Sequence, residues 1–336
     1  MSQPGEKAVA VLGAGSWGTA LAILLSSEGQ PVRLWGHLKA EVDALAEARE
    51  NRQFLPGLSF PDSLTLEADL KQALYQASEV VIAVPSHAFS SVTKAIEPLL
   101  DGNPGIAWAT KGFEPGSQRL LSDVAAENLP GRDLAVISGP TFAGEVARGL
   151  PTAITVAATT PEHAEKLAER LHTPWFRAYT SSDIVGVQVG GACKNVLAIA
   201  AGIADGLGFG ANTRSALITR GLTEIMRLGL KLGGQQETFM GLAGLGDLLL
   251  TCTDNQSRNR RMGLALSEGL SLESALTSIG QEVEGVSTAK EVYALAKRHQ
   301  VEMPISEQVY RVLHEGLDPK TAVHNLLDRR QKAEGL

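Results

Sequence analysis

The sequence predicts an α/β domain, doubly wound about a mostly parallel sheet, followed by an all-α domain. Three observations predict it. An apolar run without charge, near the start, breaks at a glycine-rich turn and resumes with helical spacing. Short apolar runs then alternate with helical patterns as far as about residue 183. Beyond that point the strand signals stop, and apolar residues recur at helical spacing with glycines between them. The expected domains are therefore 1–183 and 184–330.

The elements follow in order. Residues 8–12 read as a strand buried on both faces. Gly13, Gly15 and Gly18 fit the G-x-G-x-x-G spacing, with a helix starting near Ser16, the layout of a Rossmann-type dinucleotide turn. Gly13 permits the tight turn, Gly15 lets the backbone approach a pyrophosphate, and Gly18 lets the helix lie close on the strand. The positive end of that helix then faces the phosphates. A second strand is expected at 31–35, a polar helix over about 39–50, a short strand at 64–66 and a helix near 69–76. Further strands are expected at 79–84, 105–109, 134–137, 152–157 and 176–179, the last two flanking a helix over 162–171.

Composition narrows the function classes. The 336 residues are 44% hydrophobic and 20% charged, with a formal net charge of −7, which argues against a nucleic-acid partner. An acidic protein that binds anions must concentrate its few cations locally, so cationic clusters carry weight. Two cysteines far apart, Cys193 and Cys252, suggest reduced thiols. The first apolar run leads straight into the glycine turn rather than into a signal-peptide layout, and no uninterrupted apolar segment reads as a membrane span. A cytoplasmic chain without integral membrane association is expected.

The second strand ends at Trp35-Gly36-His37, with no acidic residue to hold a ribose and repel a 2′-phosphate. Arg33 stands just before this segment, and with His37 and Lys39 nearby NADPH should be accepted as well as NADH. Lys111 stands at a strand end, where ligands bind in open α/β sheets. In the turn 138–144, Gly139 and Thr141 offer a backbone N–H and a hydroxyl to a small polar substrate. No metal-ligating cluster stands out.

In the second half, Lys194 and Asn195 lie in a helix otherwise made of small and apolar residues. Burial lowers a lysine pKa toward neutrality, which suits proton transfer to and from a carbonyl or alcohol oxygen. Asp247, the sole charge in residues 241–252, is the expected partner, with Thr251 one helical turn on. Ser257-Arg258-Asn259-Arg260-Arg261 follows, a cluster that suits phosphate because a guanidinium meets two oxygens at once. On these residues alone, a hydroxyacid or 6-phosphogluconate type of dehydrogenase and a non-catalytic nucleotide sensor stay open, although the arginines favour a phosphate-bearing substrate.

As a set, Gly13–Ala20, Lys111-Gly112, Ser138-Gly139-Pro140, Cys193-Lys194-Asn195, Asp205-Gly206-Leu207-Gly208, Gly246-Asp247-Leu248 and Arg258-Asn259-Arg260 resemble the bacterial NAD(P)-dependent glycerol-3-phosphate dehydrogenase family. The match runs in the same order through both domains. The resemblance implies reversible reduction of dihydroxyacetone phosphate to sn-glycerol 3-phosphate for phospholipid synthesis, by a cytoplasmic homodimer. It gives Lys194 as catalytic acid/base. Lys111, Asn195, Asp247, Thr251, Ser257, Arg258 and Asn259 match substrate or catalytic positions. Ser16, Trp17, His37, Ala143 and Glu284 match cofactor contacts, with Lys111 and Arg258 shared between substrate and cofactor. Glu282 departs from the family, which often has an apolar residue there.

Overall fold

The computed structural model describes residues 7–330. They pack as two units, one of residues 7–110 and 121–184, the other of residues 111–120 and 185–330. One break between the units falls at 184/185. The segment 111–120 departs from that division and goes with the helices, because Phe113 and Leu120 are buried in their core.

The first unit runs β1 (Val9–Leu12), α1 (Ser16–Ser26), β2 (Val32–Trp35), α2 (Lys39–Ala48), β3 (Leu64–Glu67), α3 (Leu70–Leu74), β4 (Glu79–Ile82), α4 (Ser86–Ile96) and β5 (Gly105–Trp108). It continues with α5 (Leu121–Asn128), β6 (Leu134–Ser138), α6 (Ala143–Ala147), β7 (Thr152–Ala158), α7 (Pro161–Leu171) and β8 (Phe176–Ser181). The eight strands lie in the order β3-β2-β1-β4-β5-β6-β7-β8. All neighbours are parallel except β6 and β7. β1 is fully buried because β2 and β4 flank it, with Val9 opposite Val32 on one side and Glu79 on the other. The strand order reverses between β1 and β4, which marks the carboxyl end of β1 as the place for a ligand. α5 and α6 had no counterpart in the sequence reading. The latter is only five residues long and directly follows the 138–142 turn.

The second unit holds α8 (Ile184–Gly206), α9 (Ala211–Lys231), α10 (Gln236–Met240), a π turn over Leu242–Gly246, α11 (Asp247–Thr253), α12 (Arg258–Ser267), α13 (Leu272–Ile279), α14 (Glu284–His299), α15 (Pro304–His314) and α16 (Pro319–Leu327). α8 is its axis, buried along nearly its whole length. At 23 residues, with an 18-residue stretch of mean hydropathy 1.5, it has the length and apolar character of a membrane span, although Lys194 and Asn195 interrupt the apolar run. In the fold its apolar surface is covered by protein: Val189, Val196 and Ile199 share one core with Ile225, Phe239, Leu248, Met262 and Val292. Each such side chain contributes roughly 1.5–3 kcal/mol of burial. Two glycines set how closely a neighbour approaches: a Cβ on Gly202 would stand 2.1 Å from the Arg260 carbonyl oxygen, and one on Gly263 2.1 Å from that of Ile199. α12 can therefore lie directly on α8.

Candidate active site

In the first unit the glycine turn is built by what its residues lack. Gly13 has φ +120°, and a Cβ there would meet the Ala83 carbonyl oxygen at 2.6 Å. A Cβ on Gly18 would lie 1.9 Å from the Gly13 carbonyl oxygen, so α1 can start only with glycine at that place. Gly15, the N-cap of α1, has nothing of the protein within 4 Å of its Cβ position, and no side chain caps the helix. Trp17, in the first turn, keeps a buried indole N–H without a hydrogen-bond partner among the described residues. Open space above Gly15, a helix start without a side-chain cap and an orphan donor together fit a dinucleotide pyrophosphate.

Sequence reasoning missed the residue that braces this turn. Asn51, buried in the loop after α2, donates from Nδ2 to the Ala14 carbonyl at 3.0 Å and to Thr19 Oγ1 at 2.9 Å. An asparagine between turn residues gives no signal of so distant a partner. Arg33, just before the end of β2, donates from its guanidinium to the carbonyls of Gln72, Ala73 and Tyr75 at the end of α3. Lys39 pairs with Asp43 at 2.9 Å, and His37 stays exposed just after β2. Gly139 is buried at the end of β6, Thr141 donates to the Gly139 carbonyl at 3.2 Å, and Ala143 begins α6, which packs on α1.

In the second unit three segments distant in sequence meet at one carboxylate. Asp247, 0% exposed, opens α11. Its Oδ1 accepts from Lys194 Nζ, and its Oδ2 accepts from Lys111 Nζ at 2.6 Å. Thr251 donates to the Asp247 carbonyl at 2.6 Å and accepts from Lys194 at 2.8 Å. Lys194 is 6% exposed, and the spacing of α8 explains how it reaches its partners. Gly190 stands one turn earlier on the same face; a Cβ there would be 2.5 Å from the Ala243 carbonyl oxygen, so glycine lets the π turn press against α8 and delivers Asp247 to Lys194. Burial pushes the Lys194 pKa down to about 8, with Asp247 working against the shift and Lys111 with it. Two lysines on one aspartate leave a net positive centre inside an acidic protein, suited to an anionic ligand.

Beside it lies an amide link. Asn259 Nδ2 donates to Asn195 Oδ1 at 3.0 Å, and Asn259 Oδ1 accepts from the Gly285 N–H at 2.9 Å. α8, α12 and the start of α14, where Glu284 stands, are thereby tied together. Ser257 caps α12 by accepting from the Arg260 N–H at 3.1 Å. Burial lowers the Arg258 pKa from its ordinary value, while Glu284 and then Glu282 support its charge. The arginine cluster divides in the structure. Arg260 turns inward, to the Cys252 carbonyl at 3.1 Å and to Asp205 at 2.6 Å, and Asp205 also pairs with Arg214 at 3.1 Å. Arg260 is a brace for α12, committed to a carboxylate it shares with Arg214. Of the other two, Arg258 adjoins Asn259 in sequence, and Arg261 keeps a buried Nε–H without a partner among the described residues.

A dinucleotide turn at the head of an open parallel sheet, on a chain that also carries a water-shielded amine held by a carboxylate, defines a two-domain pyridine-nucleotide dehydrogenase. Comparison with known proteins specifies which. Residues 8–164 match the N-terminal model, and residues 183–324 the C-terminal model, of NAD-dependent glycerol-3-phosphate dehydrogenase. The chain is similar to the glycerol-3-phosphate dehydrogenase [NAD(P)+] of Pseudoalteromonas translucida, with 57% identity over 97% of this chain and 98% of that protein. The same enzyme of Idiomarina loihiensis is likewise 57% identical over 97% of this chain and 98% of its own length. The crystal structure of glycerol-3-phosphate dehydrogenase from Coxiella burnetii, 51% identical, superposes with a TM-score of 0.94 over 97% of this chain and 100% of that one. The chain belongs to the NAD-dependent glycerol-3-phosphate dehydrogenase family.

Proposed function

We propose that this chain catalyses the reversible, NAD(P)-dependent reduction of dihydroxyacetone phosphate to sn-glycerol 3-phosphate, supplying glycerophospholipid synthesis as a cytoplasmic homodimer. The observation that carries the reading is Lys194, an amine almost shut off from water and hydrogen-bonded to Asp247 and Thr251. Bound NAD(P)H would supply the hydride. As the ketone oxygen gains charge, Lys194 donates a proton to it, and in the reverse direction the neutral amine removes one. Asp247 orients the amine and holds it cationic against the pull of burial. Arg258, with Asn195 and Asn259 beside it, grips the phosphate and so fixes the carbonyl, a large part of any barrier reduction. Lys111 adds a second cation for the substrate or the coenzyme.

The family resemblance extends the assignment residue by residue. Gly13, Gly15, Ser16, Trp17, Gly18, His37, Ala143 and Glu284 serve the coenzyme, and Gly139, Thr141, Thr251 and Ser257 complete the substrate contacts. Free, buried Cys193 and Cys252 support a reducing compartment. Light scattering checks the dimer.

The test is dihydroxyacetone phosphate reduction followed by NADPH and NADH absorbance across pH. Reduction needs Lys194 as ammonium, so kcat/KM should hold on the acid side and fall as pH rises through about 8, whereas kcat/KM for glycerol 3-phosphate oxidation should rise over the same range. Nucleotide binding without turnover would favour a sensor, and turnover of simple 3-hydroxyacids in preference would favour the hydroxyacid class.

A further inference from the structure

Lys111 reaches Asp247 from a loop, residues 111–120, that leaves the sheet and packs with the helices. α14 pins this loop at two points on one face, seven residues apart. The carboxylate of Glu291 accepts from the Gly116 N–H at 3.1 Å, and Arg298 donates to Gln118 Oε1. Gly116 has φ +82°, a left-handed turn that glycine adopts without strain. The loop also closes on itself, with the Glu114 N–H on the Arg119 carbonyl and the Gln118 N–H on the Glu114 carbonyl, both at 3.0 Å. Glu291 is 7% exposed and forms no ion pair among the described residues. Its carboxylate is engaged by the backbone of the loop, so the side chain ties that loop to the helix.

We propose that Glu291 is a positioning residue for the lysine–carboxylate centre, holding the 111–120 loop on α14 so that Lys111 stays on Asp247 Oδ2 and Lys194 is left with Oδ1. The proposal rests on the assignment of Lys194 as the proton donor. Among the described residues, the titratable groups acting on Lys194 are Asp247 and Cys252 on α11 and Lys111 on the loop. Of these, Lys111 is the one a loosened loop would withdraw. Its departure removes a neighbouring positive charge, so Lys194 should keep its proton to higher pH. It also removes one cation from the anion site, so the KM for dihydroxyacetone phosphate should rise.

The experiment follows the Lys194 titration directly, by NMR of enzyme carrying 13C-labelled lysine, with K194R to assign the signal, in the parent, E291A and E291Q. In E291A the midpoint should rise by about half a pH unit or more, and the KM about fivefold. E291Q keeps an oxygen acceptor for the Gly116 N–H and should return both values toward the parent. If E291A fails to fold, Glu291→Asp, one methylene shorter, replaces it with the same readouts. An unmoved midpoint and KM, even alongside a lower melting temperature, would overturn the proposal and leave Glu291 a structural residue. A Lys194 that titrates in the parent near an ordinary lysine would instead refute its role as a tuned acid. The two failures are thus told apart.

Discussion

The glycine turn and the lysine–carboxylate centre are built on opposite principles. At the turn the shape comes from missing atoms: Gly13 and Gly18 leave no room for a Cβ, and Gly15 leaves room that the protein does not fill. At the centre the geometry comes from groups that cannot be left alone. Asp247 is fully buried, two ammonium groups reach it from separate segments, and a hydroxyl joins them from one turn along its own helix. The first is a backbone device in six consecutive residues; the second is an electrostatic device assembled from across the helical unit. The first should therefore fail through sterics and the second through charge.

The sharpest test of that contrast is Lys194→Ala. Removing the proton donor should lower kcat by about a thousandfold or more, while NADPH binding, followed by fluorescence, changes less than about twofold. A variant with near-parental turnover would remove Lys194 from the chemistry. Next in size is Gly18→Ala, whose added carbon would overlap the Gly13 carbonyl oxygen. A destabilisation of about 3 kcal/mol is expected in urea unfolding. The smallest effect separates space from stability within the same turn. Gly15→Ala meets no protein atom, so its melting temperature should stay within about 2 °C of the parent. Its Kd for NADPH should rise roughly fivefold, because the new methyl stands where a pyrophosphate approaches. If Gly15→Ala bound NADPH normally, the open space above the turn would have another use.

The same contrast governs what could be read in advance. The sheet and its glycine turn were legible because their signals are local: apolar runs of strand length, breaks at glycine, and one motif with a steric reason at each place. Only short pieces escaped, such as α6 with five residues. The pairing of Lys194 with Asp247 was also readable, since each is a lone charge in an apolar stretch and neither can be buried without the other. The convergence of Lys111 on the same carboxylate was not, because nothing near it in sequence shows that its loop leaves the sheet. The division of the arginine cluster was not legible either, for a related reason. Composition cannot tell Arg258 from Arg260, and only the fold sets Asp205 against the latter. Asn51 and Glu291 act on backbone groups far along the chain, and such partners leave no trace in spacing.

The excursion of residues 111–120 into the helical core has a consequence for how the chain can be divided. A fragment cut at residue 185 would keep every helix from α8 onward, short only of Ile184, yet lack Lys111, Phe113 and Leu120, and with them a charge at the active centre and part of its own apolar filling. The two halves are therefore not cassettes to be shuffled at the obvious seam; a recombinant that swaps the sheet for a relative's must also inherit a loop that fits the recipient's helices.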